Sequence, residues 1–153
     1  MIPPGTTVAP VERMGFKTLE EIHAFNLTRE FKLEVYRLIE ASPGAQRDAR
    51  FRSQVQEALS GAESNIGEGF ARWGAGEFAR FLCIAVASLK EGQLRVQDGI
   101  DRRYFPAADC HRALHLGERA FKATAALRRE EERLAEEKRR RKRRIGKDQG
   151  PRT

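Results

Sequence analysis

The sequence predicts an all-α fold, an antiparallel up-down-up-down four-helix bundle, and three observations carry that prediction. Apolar residues recur at steps of three and four through four long stretches. Breaks holding glycine, proline or clustered polar residues separate them, and strand-like alternation appears nowhere. Short links between long amphipathic helices favour the antiparallel packing of neighbours. At 153 residues the chain has room for one ordinary core plus tails. The predicted organisation is a leader over residues 1–17, a bundle over 18–137 and a basic tail over 138–153.

Each element follows in order. The leader holds Pro3, Pro4, Gly5, Pro10 and Gly15 and no sustained period, so it reads as flexible. Thr18-Leu19-Glu20-Glu21 has the capping-box form, in which a hydroxyl and a carboxylate satisfy each other's free backbone donors at a helix start. Ile22, Phe25, Thr28, Phe31, Val35 and Leu38 then share one face of a first helix, until Ser42-Pro43-Gly44 stops it. After a polar link, Phe51, Val55, Ala58, Ala62, Ile66 and Gly69 or Phe70 form a second helical face, which closes at Arg72-Trp73-Gly74-Ala75-Gly76. The third helix is the most regular. Phe78, Leu82, Ala85, Leu89, Gly92 and Val96 follow steps of four and three, with Phe81 and Ile84 widening the stripe. Arg102-Arg103-Tyr104-Phe105-Pro106 makes the next break. A fourth helix is predicted from Ala107 or Ala108 through Leu114, Phe121, Leu127 and Leu134, losing its apolar face inside a basic run.

Composition narrows the function. Charged residues make up 33% of the chain and mean hydropathy is -0.62. The longest apolar run, Phe81 to Ala87, falls far short of the roughly 20 residues a membrane-spanning helix needs, so no membrane partner is expected. The start of the chain lacks the apolar core of a secretory signal, which predicts a cytoplasmic location. Cys83 and Cys110 lack the paired spacing of a zinc or redox motif and read as free, buried thiols.

The net charge is +7, and it is unevenly placed. Residues 138–153 hold nine Lys or Arg and one acid, Asp148, so the tail carries +8 and everything before it -1. Lys138, Arg139, Arg140, Arg141, Lys142, Arg143 and Arg144 are consecutive. Seven adjacent cations repel one another unless a polyanion neutralises them, and phosphate contacts of this kind are salt-sensitive and tolerant of sequence. The run is therefore the predicted contact with RNA or DNA, set beside the plainer reading of a solvated charged helix. Glu136 and Glu137 precede Arg140 and Arg141 by four, the spacing of supporting ion pairs.

One stretch is richer than core patterning requires. Ser64-Asn65-Ile66-Gly67-Glu68-Gly69 comes late in the second helix, and Glu77-Phe78 with Phe81-Leu82-Cys83-Ile84-Ala85-Val86-Ala87-Ser88-Leu89-Lys90-Glu91 builds the third. These paired motifs resemble the bacterial four-helix bundle family encoded within intervening sequences of 23S ribosomal RNA genes. That family is a distant structural relative of the accessory variability protein of diversity-generating retroelements. Gly67 stands where the family commonly has alanine, and Ala87 where it commonly has glycine. The resemblance spans about residues 19–127 and leaves the basic tail outside. It implies a homopentameric, barrel-shaped oligomer, and a protein partner such as a reverse transcriptase.

Asn65 and Glu68 are three apart, as are Ser88 and Glu91, so each pair shares a helix face. Together they are expected to form a structural polar network in the bundle or at a subunit contact. Trp73, Tyr104 and Phe105 are candidate interface aromatics, with ordinary core burial as the equal alternative for each. Metal and catalytic readings are weaker. Glu20 and His23 form a single Glu-x-x-His pair where a di-metal bundle uses two, and His111 and His115 read as solvent-facing. Gly67-Glu68-Gly69 lacks the form of a nucleotide loop. The expectation is a non-enzymatic, cofactor-free, homo-oligomeric bundle that binds RNA or DNA. The alternative is a protein-interaction scaffold for which nucleic acid is incidental.

Overall fold

Of the 153 residues, the computed structural model describes 16–72 and 74–148. Most of the predicted leader, Trp73 and the last residues of the tail lie outside the described residues. Those described are all-helical: α1 (His23–Glu40), α2 (Pro43–Arg47), α3 (Ala49–Ala71), α4 (Ala75–Asp101) and α5 (His111–Asp148), with 3-10 turns at Leu19–Glu21 and Ala107–Cys110. No described helix is long and apolar enough to cross a membrane.

The chain enters α1 differently from the capping-box expectation. Thr18 makes no side-chain cap and starts only the 3-10 turn. Glu21 accepts instead from the Lys17 backbone N–H at 2.9 Å. The helix proper begins after Ile22, whose backbone is extended and whose side chain is almost fully buried. Anchoring Ile22 in the core decides where the helix starts, and the local hydroxyl does not. At the far end Ser42-Pro43-Gly44 stops α1 and also starts α2. The Ser42 hydroxyl accepts from Ala45 N–H at 3.1 Å and proline takes the first helical position, so the predicted polar link contains a helical turn. Asp48 then caps α3, accepting from Phe51 N–H at 3.0 Å.

Contacts between the long helices run in opposite sequence order. Along α3 and α4, Gly69 faces Phe78 and Phe81, Gly61 faces Ser88, and Gly92 faces Leu59. Tyr36 meets Ser60 and Arg29 meets Glu63 between α1 and α3. Between α4 and α5, Gln93 reaches Glu118, Lys90 lies over the Phe121 ring and Gly76 lies beside Ala135. The α1–α5 contact joins Phe31 to Gly117 and Glu34 to Arg112. The seam of α4 is as predicted, with Phe78, Leu82, Ala85, Leu89 and Val96 fully buried.

Four positions expected in the core differ. Ile84 is 42% exposed, because two residues of helix turn it to the side of α4 opposite Leu82. Cys83 is exposed beside it, whereas Cys110 is buried as expected. On α5, Leu114 and Phe121 are only partly buried, and the core line runs instead through Ala113, Leu116, Gly117, Ala120, Thr124 and Leu127. Small residues bring α5 close: a Cβ on Gly117 would come within 2.9 Å of the Phe31 ring. The break after α4 is tighter still. Arg103 adopts φ 62°, and the Tyr104 and Phe105 N–H groups both donate to the Gly99 carbonyl. A Cβ at Gly99 would fall 2.4 Å from the Phe105 ring, so only glycine fits there.

Candidate nucleic-acid interface

From Ala125 to Arg144 the chain has no glycine, proline or β-branched residue, and good helix formers fill it. Helix α5 accordingly runs unbroken to Asp148, well past the start of α4, where Gly76 packs beside Ala135. Every residue from 137 to 147 is exposed. Ion pairs brace the root of this overhang: Arg128 with Glu132, Arg133 with Glu130 and Glu137, and Arg139 and Arg140 with Glu136. Arg140 Nε donates to Glu136 at 3.1 Å, as its spacing predicts. Glu137 does not pair forward with Arg141. It turns back to Arg133, which lies one turn earlier and collects two carboxylates. The hydrogen bond from Arg133 holds the Glu130 carboxyl below its ordinary range, and the same contact raises Arg133.

Among the described residues, Lys138, Arg141, Lys142, Arg143 and Arg144 take part in no ion pair. A groove of about 520 Å³ runs beside them, lined among others by Leu134, Lys138, Arg141 and Arg144. Exposed, uncompensated guanidinium and ammonium groups of this density are chemically suited to phosphate oxygens.

The predicted polar residues do not meet across the α3–α4 hairpin. Asn65 Nδ2 donates to the Gly61 carbonyl of its own helix at 2.7 Å, and Glu68 pairs with Arg72 at 2.6 Å. Glu91 pairs with Arg95 at 3.6 Å. Ser88 is half-buried, with its hydroxyl 3.8 Å from where a Gly61 Cβ would stand. Asn65, Glu68 and Glu91 are each served by their own helix, which needs no shared network. Tyr104 is half-buried and Phe105 only 2% exposed, so neither is a free interface aromatic.

The structure assembles polar clusters that spacing did not reveal. Asp48 accepts from Phe51 N–H and from the Tyr104 hydroxyl at 2.8 Å, with Arg102 at 3.6 Å; these contacts hold its carboxyl below the usual range and push the Tyr104 phenol up. An aspartate three residues before Phe51 is a local cap signal that the polar link concealed, and its other partners, Arg102 and Tyr104, lie more than 50 residues away. Glu34, nearly buried, is lowered chiefly by its hydrogen bond with Arg37. On α1 and α3, Lys32 and Arg29 both face Glu63. A cavity of about 320 Å³ near Asp48 includes Arg50, Gln54, Arg95 and Arg102. Asp48, Asp98 and Glu91 already face two of those guanidiniums, so the cavity is close to neutral. His23, His111 and His115 are exposed, and among the described residues no three His, Cys, Asp or Glu converge as metal ligands.

A family model described as 23S rRNA-intervening sequence protein matches residues 20–126, more than two thirds of the chain. The match ends before the basic run begins. Comparison with curated proteins finds no match.

Proposed function

The chain belongs to the 23S rRNA-intervening sequence protein family, and from that premise we propose that it is a non-enzymatic, homo-oligomeric four-helix bundle that binds RNA or DNA through phosphate contacts. One observation carries the reading: Lys138 to Arg144 project on a continuous helix, exposed, beyond the packed helices. The packed part supplies a rigid base, and the overhang supplies the cations. Binding by such a surface releases counterions and carries little base information.

A second reading is supported by a different observation. Leu33, Ile84 and Leu94 are exposed on α1 and α4, and apolar groups of this size favour a protein contact. In this reading the chain is a protein-interaction scaffold, for example for a reverse transcriptase, and nucleic acid is incidental, whereas in the first reading the same surface serves self-assembly.

The test is a fluorescence-anisotropy titration of RNA and DNA at several salt concentrations, comparing the full chain with one ending at Glu137. Tight binding with a steep salt slope is expected for the full chain, and its loss for the shortened one. Equal binding by both would move the site onto the bundle, and binding by neither would end the nucleic-acid reading.

A further inference from the structure

We propose that the overhanging end of α5 is a preformed cationic rod that lies in the major groove of B-form duplex DNA and holds the phosphates on both walls. The inference rests on the nucleic-acid reading above and narrows it to one form of nucleic acid.

The first support is shape. Residues 137–147 are helical and exposed along their whole length, a projection of about 16 Å at 1.5 Å per residue. An α-helix with its side chains is about 10–12 Å across, and the B-DNA major groove is about 12 Å wide. The second is the distribution of charge. At 100° per residue, Lys138 to Arg144 leave no arc of the rod wider than about 60° without a cation. A helix lying on a flat anionic surface would use one side of that charge and leave the other repelling itself. A groove with phosphates on two walls engages opposite sides of it at once.

The third support is what the rod lacks. No aromatic residue follows Phe121, so the overhang has none of the stacking platforms that hold single-stranded bases. The major groove of A-form RNA is deep and narrow, closed to a helix of this width. B-form duplex is the geometry that remains. The rod is also preformed: Glu136 pairs with both Arg139 and Arg140 at its root, so little ordering remains to be done on binding.

The test uses the full chain and three probes of matched sequence: duplex DNA, duplex RNA and single-stranded RNA. Duplex DNA is expected to bind at least about tenfold more tightly than either RNA, with a slope of log K on log salt of about -4 to -6. The second arm is Glu137→Pro, which breaks the helix at the base of the rod while keeping every cation and removing one acid. If shape matters, this variant loses the preference for duplex DNA while weak, salt-steep binding persists. Equal binding of duplex DNA and RNA, or a Glu137→Pro variant with unchanged preference, would overturn the rod and leave the broader reading standing. Failure of the full chain to bind any probe would remove both, and binding that survives truncation at Glu137 would remove the rod and place the site on the bundle.

Discussion

Asp48 holds three contacts at one position: it caps α3, accepts the Tyr104 hydroxyl and faces Arg102, so it joins the start of α3 to the break after α4. Because the folded carboxyl is held below its unfolded value, its stabilisation is complete above the unfolded pKa, near 3.9, and fades as pH falls through the folded one. Asn caps a helix about as well as Asp, so Asp48→Asn removes the charge while keeping the cap. Wild type is expected to exceed this variant in urea midpoint at pH 7, with the gap narrowing at pH 3. A gap of equal size at both values would show that the charge is irrelevant. Position 99 illustrates the same scale from the steric side: Phe105 occupies the space a side chain would need.

At the scale of the element, α5 is one helix with two environments. Up to Leu127 small residues and leucines press it into the core, and Glu131, 2% exposed, lies one turn beyond. Leu134, Lys138, Arg141 and Ile145 continue the same four-three spacing, but the seam turns cationic just where its neighbours end. A stripe that cannot enter an apolar core keeps the helix projecting, and weak exposed ion pairs with high helix propensity keep it helical. Shortening the chain to Glu137 is therefore expected to lower helical circular dichroism while changing unfolding free energy by no more than about 0.5 kcal/mol. A larger loss would mean that the overhang packs on the bundle.

Across the described residues, charge and exposed apolar surface are largely segregated, Ile145 on the rod being the exception. Basicity collects on one projecting rod, while Ile84 and Leu94 stand exposed on one side of α4 within an arc of about 80°. Burying such side chains between copies removes apolar area from water, about 1.5–3 kcal/mol for each one fully covered. The variant carrying both Ile84→Lys and Leu94→Lys is expected to dissociate at least about tenfold more readily by light scattering, with unchanged helicity. An assembly indifferent to both changes would place the subunit contact elsewhere, and a monomeric wild type would end the oligomer reading.

Several features were legible in the residue order. The helical period, the ends of α1 before Ser42, of α3 before Arg72 and of α4 before Arg102, the buried seam of α4 and the basic run all depend on local chemistry and spacing, although Pro43, Gly44, Ala75 and Gly76 prove to be helical. The family motifs were legible for the same reason, since they lie within two consecutive helices. The start of α1, the exposure of Ile84 and the small-residue face of α5 were decided by packing. A period identifies a face, but which arc of it is buried depends on the shape of the helix opposite. Phe31 beside Gly117 and Phe105 beside Gly99 are contacts between residues far apart in the chain, and only the folded molecule brings them together.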